Sequence, residues 1–203
     1  MISFDKNNLT AIILSAGFGS RMGRAKALLP IEGKTFIETI IGNLESAGFA
    51  SICVVLGFKA EEVETKLPEK VDTIINPHPE SEMLSSILLG LDFAERDGNS
   101  ALIAMADYPL VKCATYKALA VAHRVAPDLI LLPEFEGKTG HPVVFPKSVF
   151  GQIRKIPAGF GARLVVQNNP GIVSKIPIND PGILCGINTR EDYENFIGKF
   201  PEE

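Results

Sequence analysis

Residues 9–30 read LTAIILSAGFGSRMGRAKALLP, an apolar run followed by a segment with three glycines and three basic residues. The apolar run is typical of a buried β-strand. Gly17 and Gly19 let backbone N–H groups approach phosphate oxygens closely and tolerate positive φ. The guanidinium of Arg21 can bind two phosphate oxygens at once, and the ammonium of Lys26 adds a point charge. The segment therefore predicts a site for a nucleoside triphosphate at the end of the first strand.

Two familiar phosphate-binding loops do not fit this segment. The dinucleotide fingerprint G-x-G-x-x-G, started at Gly17, needs a third glycine where the sequence has Met22. It also needs an acidic residue after the second strand, where Leu56 is followed by Gly-Phe-Lys-Ala. The P-loop pattern G-x-x-x-x-G-K-[ST] likewise requires a glycine in place of Met22. The segment fits G-x-G-x-R-M-G-x-x-K instead.

Composition and charge distribution limit the function classes. Of the 203 residues, 46% are hydrophobic and 22% are charged, which is ordinary for one globular domain over residues 1–203. The net charge of −4 argues against nucleic-acid binding, although residues 1–34 hold five basic and two acidic side chains. An acidic protein with one locally basic end fits a small anionic ligand.

The sequence also carries a prediction about location. No apolar run approaches the roughly 18 residues that a membrane span needs, and the N-terminal residues lack the layout of a signal peptide. Cys53, Cys113 and Cys185 lie far apart and form no C-x-x-C pair, so we expect reduced thiols rather than a metal site. We therefore expect a cytoplasmic protein that binds neither membrane nor nucleic acid.

Apolar runs alternate with segments of helical spacing along the chain. Strands are predicted over 9–14, 51–56, 71–75, 101–105, 128–132, 142–145 and 172–176. Helices are predicted over 37–47, 61–67, 84–94, 116–125, 147–153, 161–168 and from Thr189 onward. The alternation predicts an α/β fold with a mostly parallel sheet between helices, and such sheets bind ligands beyond the carboxyl ends of their strands.

A carboxylate follows the fourth predicted strand directly. Asp107 stands in the stretch Ala-Met-Ala-Asp-Tyr-Pro-Leu of residues 104–110, at the sheet edge where the phosphates should lie. Mg²⁺ takes one or two protein oxygens and completes its octahedron with waters and phosphate oxygens. Asp107 is therefore our predicted magnesium ligand, with a helix-capping role as the alternative.

Five blocks of the sequence carry a family resemblance. They read LSAGFGSRMGRAKALLP (14–30), NPHPESEMLSSILLGL (76–91), AMADYPLV (104–111), GHPVVF (140–145) and GINTREDY (186–193). In this order they resemble the molybdenum cofactor cytidylyltransferases and their guanylyltransferase, MobA-like relatives. The resemblance implies a Rossmann-like three-layer α/β/α nucleotidyltransferase fold. It also implies attack by an acceptor on the α-phosphorus of a nucleoside triphosphate with release of pyrophosphate.

The resemblance implies a role for each matching residue. It assigns catalysis to Arg21, Lys26 and Asp107, and nucleotide binding to Leu14, Ser15, Ala16, Gly17, Gly19, Ser20, Arg21, Lys26, Ser85 and Ser86. It assigns the metal, Mg²⁺, to Asp107 and Asn188, with Gly186 replacing an aspartate that is common in the family. It assigns acceptor binding to His141 and Arg163. Structural alternatives stay open for first-turn serines, for Asn188 as part of a helix cap and for Arg163 as a solvated side chain.

The resemblance also implies substrates. Ala16 stands where the guanine-specific members have glycine, which favours CTP as the nucleoside triphosphate. The implied acceptor is the terminal phosphate of molybdopterin. The residues themselves leave open a sugar- or alcohol-phosphate nucleotidyltransferase and, from another class, a non-catalytic nucleotide-binding regulatory protein. A dehydrogenase is opposed by Met22 and by the missing acid after the second strand.

Overall fold

The computed structural model describes residues 8–17, 25–78 and 83–201. Its strands are β1 (Leu9–Ser15), β2 (Pro30–Ile31), β3 (Lys34–Thr35), β4 (Ile52–Leu56), β5 (Asp72–Ile75), β6 (Ser100–Met105), β7 (Ile130–Phe135), β8 (Lys138–Thr139), β9 (Val143–Phe145) and β10 (Val173–Pro177). Its α-helices are α1 (Phe36–Ser46), α2 (Ala60–Glu64), α3 (Met83–Arg96), α4 (Cys113–Val125), α5 (Phe150–Ile153), α6 (Arg163–Asn168) and α7 (Arg190–Phe196). Within these residues no helix has the length and apolar character that a membrane crossing requires.

The main sheet is mixed and mostly parallel. Its order is β10-β7-β9-β6-β1-β4-β5, with β8 paired to β7. β1 runs parallel to both β4 and β6, and Leu14, near its carboxyl end, lies opposite Val55 on one side and Met105 on the other. β9 runs antiparallel to β6 and β7. This arrangement confirms the predicted α/β class and brings the carboxyl ends of β1, β4 and β6 to one edge.

Helices cover both faces of the sheet because alternate residues of its central strand point to opposite sides. Ala11 and Ile13 of β1 pack in one apolar cluster with α1 and α4. Ile12 and Leu14 pack in a second cluster with α3. α3 crosses β1 so closely that a Cβ at Gly90 would overlap the side chain of Ile12. The two clusters form the three-layer Rossmann-like fold that the resemblance implies.

Local signals predict several elements well. The pattern Thr35-x-x-Glu38 forms a complete capping box at the start of α1, as its spacing indicates. Helix α2 ends at Glu64, three residues before the predicted end at Leu67, because a turn leads into Pro68. The hairpin of β2 and β3 and the short 3-10 helices over 26–28 and 181–184 carry no periodic signal, and the sequence analysis does not predict them.

Candidate nucleotide- and metal-binding site

A cavity of about 320 Å³ lies at the carboxyl ends of β1 and β6. The ladder of parallel strands creates this opening, because the chain leaves each strand at the same edge of the sheet. The lining residues include many that the sequence analysis assigns to the nucleotide. They are Leu14, Ser15, Ala16, Gly17, Ala25, Lys26, Ala27, Phe58, Met83, Ser86, Met105, Ala106, Asp107 and Asn188.

Three predicted site residues meet at the polar end of this cavity. Lys26 Nζ donates a hydrogen bond to Asn188 Oδ1 at 2.7 Å. The same ammonium lies 3.5 Å from Asp107 Oδ2. Lys26 and Asn188 are 162 positions apart in the chain, so this meeting is made by the fold. The ammonium stands between the two residues that the resemblance assigns to the metal.

The other carboxylate oxygen of Asp107 is buried and lacks a hydrogen-bond partner within the described residues. A buried carboxylate oxygen without a partner is costly, and a cation is the natural ligand for it. Across 8–17, 25–78 and 83–201, no group of three or more His, Cys, Asp or Glu side chains could hold a metal ion. A metal here would therefore be bound by one carboxylate, one amide oxygen and oxygens from outside the protein. This is the set of ligands that Mg²⁺ prefers when it binds with phosphates.

Backbone hydrogen bonds fix the position of Asp107. The N–H of Ala106 donates to the Leu14 carbonyl at 3.1 Å, which extends the β1–β6 ladder by one residue. The N–H of Ile187 donates to the Asp107 carbonyl at 2.8 Å, which ties the C-terminal segment to the same loop. Asp107 and Asn188 therefore approach each other through main-chain contacts and not through flexible side chains alone.

A capping box places Asn188. Thr189 is the N-cap of α7, and its side chain accepts a hydrogen bond from the backbone of Asp192. Asp192 Oδ2 in turn accepts hydrogen bonds from the N–H of Asn188 and of Thr189, each at 2.8 Å. These bonds lower the pKa of the Asp192 carboxyl, and the bond from Asn188 has the largest effect. The cap uses the backbone of Asn188, so its side-chain amide remains directed at Lys26.

The two predicted serines share one partner that the sequence analysis does not identify. Asn76 follows β5, is buried, and its Nδ2 donates to Ser85 Oγ at 3.0 Å and to Ser86 Oγ at 2.9 Å. Ser86 lines the cavity, and Asn76 fixes its orientation. The sequence feature that could have pointed to Asn76 is its position at the end of a strand, directly before Pro77.

Ala16 lies at the base of the cavity in close contact with the turn after β4. A Cβ at Gly57 would stand 2.9 Å from the methyl of Ala16 and 2.7 Å from its carbonyl oxygen. The next residue, Phe58, lines the cavity and was not predicted as a site residue. Gly57 therefore lets this turn approach Ala16 and carry an aromatic ring to the site.

On the far side of Asp107, three loops pack against one another. They are residues 108–111, 140–141 and 181–187, the last of which includes the 3-10 helix over 181–184, and we call them the three-loop platform. A Cβ at Gly140 would overlap the carbonyl oxygen of Ile183, and one at Gly182 would overlap that of Leu110. Each of these two close approaches therefore needs a glycine, because its Cα lies against a backbone carbonyl.

His141 belongs to the three-loop platform. Its ring lies against the ring of Tyr108, with centroids 4.8 Å apart and an interplanar angle of 54°. Burial lowers the pKa of the imidazole, and the nearby Asp107 opposes this only in part, so the ring is neutral at physiological pH. The side chain contains a buried Nδ1 that lacks a hydrogen-bond partner within the described residues.

The structure does not gather all of the predicted residues. Arg163 is the exposed first residue of α6, and it is not among the residues that line the cavity. Its neighbours Ala162 and Val165 pack in the apolar cluster that includes α3. Gly19, Ser20 and Arg21 lie outside the described residues, as does Met22. Their roles stay predictions.

The chain is similar to known proteins over most of its length. A model of the MobA-like NTP transferase domain matches residues 11–172. The nicotine blue oxidoreductase of Paenarthrobacter nicotinovorans is 29% identical over 198 residues, which cover 93% of this chain and 96% of that protein. The bifunctional protein GlmU of Thermotoga petrophila is 36% identical over 141 residues, 66% of this chain but 30% of GlmU. The match to GlmU thus spans about a third of that longer protein.

Solved structures share the fold. Rv0371c from Mycobacterium tuberculosis H37Rv gives a TM-score of 0.83 at 22% identity, over 93% of this chain and 96% of that one. Its complex with manganese gives 0.78 at 20% identity, over 93% and 97%. Molybdopterin-guanine dinucleotide biosynthesis protein A from Archaeoglobus fulgidus gives 0.68 at 19% identity, over 92% and 95%. With the family model matched across both halves of the sheet, the chain belongs to the MobA-like NTP transferase domain family and thereby to the nucleotidyltransferase enzymes.

Proposed function

We propose that the protein is a Mg²⁺-dependent nucleotidyltransferase that transfers CMP from CTP to a phosphorylated acceptor, molybdopterin, and releases pyrophosphate. We propose further that one domain over residues 1–203 does this in the cytoplasm. The observation that carries the proposal is the meeting of Lys26, Asp107 and Asn188 at one end of a cavity lined by Leu14–Gly17. A cation, a carboxylate and an amide oxygen at the mouth of a cavity suit a metal-bound triphosphate.

The metal part of the proposal rests on Asp107. Its buried Oδ1, which lacks a hydrogen-bond partner among the residues that the structure describes, and the amide oxygen of Asn188 would suit a divalent cation, which when bound would neutralise charge on the triphosphate. The ammonium of Lys26 lies 2.7 Å from Asn188 Oδ1 and 3.5 Å from the other carboxylate oxygen of Asp107, Oδ2, so it competes with a cation in the free protein. The phosphates of the substrate offer Lys26 another anionic partner, and we infer that nucleotide and metal bind together. Rv0371C has been solved with manganese, so both Mg²⁺ and Mn²⁺ belong in the assay.

The donor part of the proposal rests on Ala16. Ala16 lines the cavity, and its buried methyl lies against the turn at Gly57. A methyl at this position leaves less room beside the base than a glycine would, which favours the smaller pyrimidine ring of CTP over GTP. Ser86, oriented by Asn76, supplies a hydroxyl for the base or the ribose.

The acceptor part of the proposal rests on the resemblance and on the position of His141. The three-loop platform lies beside Asp107, and none of His141, Gly186 and Tyr108 lines the cavity proposed for the nucleotide. A second reactant could therefore reach the α-phosphate from this side. The archaeal neighbour named for molybdopterin-guanine dinucleotide biosynthesis shares the fold, which fits a molybdopterin acceptor. Sugar and alcohol phosphates remain the alternative acceptors.

A second candidate function has one specific observation in its favour. The relative that matches over 96% of its own length is named nicotine blue oxidoreductase. Against a nicotinamide-dependent reaction stand Met22 in place of the third fingerprint glycine and the missing acid after Leu56. Oxidation of NADH or NADPH therefore has to be measured alongside transfer.

The deciding experiment measures pyrophosphate release from CTP, GTP, ATP and UTP. Each nucleotide is incubated with Mg²⁺ or Mn²⁺ and with molybdopterin, sugar phosphates, alditol phosphates or no acceptor. We expect release that requires both CTP and molybdopterin. Acceptor-dependent release with a sugar phosphate would identify the alternative transferase. Nucleotide binding without turnover under any acceptor would favour a regulatory protein, and NADH oxidation without pyrophosphate release would favour a redox enzyme.

A further inference from the structure

Tyr108 holds an unusual position within the three-loop platform. It follows Asp107 directly, and its half-buried ring lies against the imidazole of His141. On another side of the ring lies Gly186, where an added Cβ would stand 2.9 Å from Cζ and 3.0 Å from Cε2 and Oη. The φ of Gly186 is not in the left-handed region, so its backbone does not demand glycine. An added Cβ at this position would press against the ring of Tyr108.

The backbone does not let this contact relax. The N–H of Ile187 donates to the carbonyl of Asp107 at 2.8 Å, so residues 186 and 108 flank a hydrogen-bonded pair. The N–H of His141 donates to the carbonyl of Ile183 at 3.0 Å and holds the third loop in place. A side chain at position 186 could therefore be accommodated only by displacing the tyrosine ring. The phenol occupies the space that such a side chain would fill.

The hydroxyl of Tyr108 is available to a ligand. It has no hydrogen-bond partner within residues 8–17, 25–78 and 83–201, and it is not among the side-chain oxygens that are sealed from solvent. A tyrosine phenol is a neutral hydrogen-bond donor at physiological pH. That of Tyr108 stands beside the carboxylate that we assign to the metal.

We propose that Tyr108 is a specificity-determining residue whose hydroxyl donates a hydrogen bond to a phosphate oxygen of the acceptor. This inference rests on the proposed function and deepens it. A neutral donor binds an anionic phosphate without adding charge, whereas a carboxylate side chain at position 186 would repel it. Gly186 keeps that position clear, and His141 holds the phenol ring from its other side. The acceptor is thus recognised through its phosphate, next to Asp107.

The test compares Tyr108→Phe with the wild-type protein in two assays. One is pyrophosphate release with CTP as the donor, and the other is calorimetric binding of molybdopterin to the protein. If molybdopterin proves not to be the acceptor, both assays use the panel of sugar and alditol phosphates instead. Loss of a hydrogen bond to a charged group predicts a rise of about tenfold or more in the KM and Kd of the acceptor. The KM for CTP should stay within about twofold, since Tyr108 does not line the nucleotide cavity.

Two further variants separate binding from packing. Tyr116→Phe is the matched control, because Tyr116 is fully buried and its hydroxyl cannot touch a substrate. We expect no change in either KM from this variant. Gly186→Ala should displace the Tyr108 ring and raise the KM for the acceptor at least as much as Tyr108→Phe does. A rise in the KM for CTP of equal size in Tyr108→Phe would mean that the phenol only supports the fold of the site.

The outcomes distinguish this inference from the proposed function. Acceptor binding that weakens in Tyr108→Phe, with no turnover in either protein, would overturn the transferase reaction and retain the role of Tyr108. Turnover in which KM and Kd for the acceptor are unchanged by Tyr108→Phe would retain the transferase and overturn the role. Failure of the wild-type protein to bind any phosphorylated acceptor would overturn both.

Discussion

The nucleotide side of the site and the three-loop platform lie on either side of Asp107, and they are held in place by different contacts. On the nucleotide side, Leu14–Gly17 and Asp107 extend from parallel strands whose backbone ladder continues through the bond from Ala106 to Leu14. In the platform, loops meet through glycines whose Cα atoms touch backbone carbonyls or an aromatic ring, as at Gly140 and Gly186. The nucleotide side is fixed mainly by the regular hydrogen bonds of parallel strands, whereas the platform combines irregular loop hydrogen bonds with two approaches of glycines to backbone carbonyls.

The difference indicates how each side responds to change. A ladder of hydrogen bonds tolerates a new side chain that points into a cavity, so substitutions on the nucleotide side should alter function more than stability. A close approach at glycine tolerates no added carbon, so substitutions in the platform should alter stability and geometry together. We therefore expect the strand-end side of the site to be robust and the platform to depend on individual glycines.

The largest expected effect is at Asp107, where the two sides meet. Asp107→Ala removes the buried oxygen that we assign to the metal, and we expect turnover to fall by about 10³-fold or more. Pyrophosphate release with CTP and the acceptor measures this. Asp97→Ala, which changes an exposed aspartate after α3, is the matched control and should retain full activity. Undiminished activity of Asp107→Ala would place the metal elsewhere.

The next effect tests the nucleotide side alone. Lys26→Met removes the ammonium that lies between Asp107 and Asn188, and we expect turnover to fall about 10²-fold. Because the ammonium competes with a cation, the same variant should bind Mn²⁺ more tightly in the absence of nucleotide, which electron paramagnetic resonance can measure. Lys117→Met, at an exposed position of α4, should change neither quantity. Weaker Mn²⁺ binding in Lys26→Met would show that the ammonium does not compete for the metal.

A substitution in the three-loop platform should lower the stability of the protein. Gly140→Ala would place a methyl against the carbonyl of Ile183, and we expect the free energy of unfolding to fall by about 2–3 kcal/mol. Gly151→Ala is the matched control, since its Cβ would meet nothing within 4 Å and lies in helix α5. It should be neutral or stabilise the protein by up to about 1 kcal/mol. Denaturant unfolding of both variants measures the contrast, and equal stabilities would contradict our account of the platform.

The same difference decides how far the sequence alone could predict the site. Helical spacing and the Thr35–Glu38 capping box are local signals, and the position of Asp107 follows from the rule that ligands bind at strand ends. The contact between Tyr108 and Gly186 joins residues 78 positions apart through loop packing, which leaves no periodic trace. Asn76 was likewise missed, because a side chain that orients Ser86 is recognised only when the fold brings it there.

The smallest effect concerns base selection at Ala16, and it sharpens the view that the nucleotide side accepts side-chain changes. Ala16→Gly removes the methyl that lies against the turn at Gly57 without adding any atom, and Ala16 lies directly after the end of β1. We expect the ratio of kcat/KM for CTP to that for GTP to fall by about threefold to tenfold, the effect of one methyl group in an apolar pocket. Ala122→Gly on α4 controls for the general loss of a methyl and should leave this ratio unchanged while lowering stability by about 1 kcal/mol. An unchanged ratio in Ala16→Gly would remove Ala16 from base selection and make Ser86 and Phe58, which also line the cavity, the side chains to vary next.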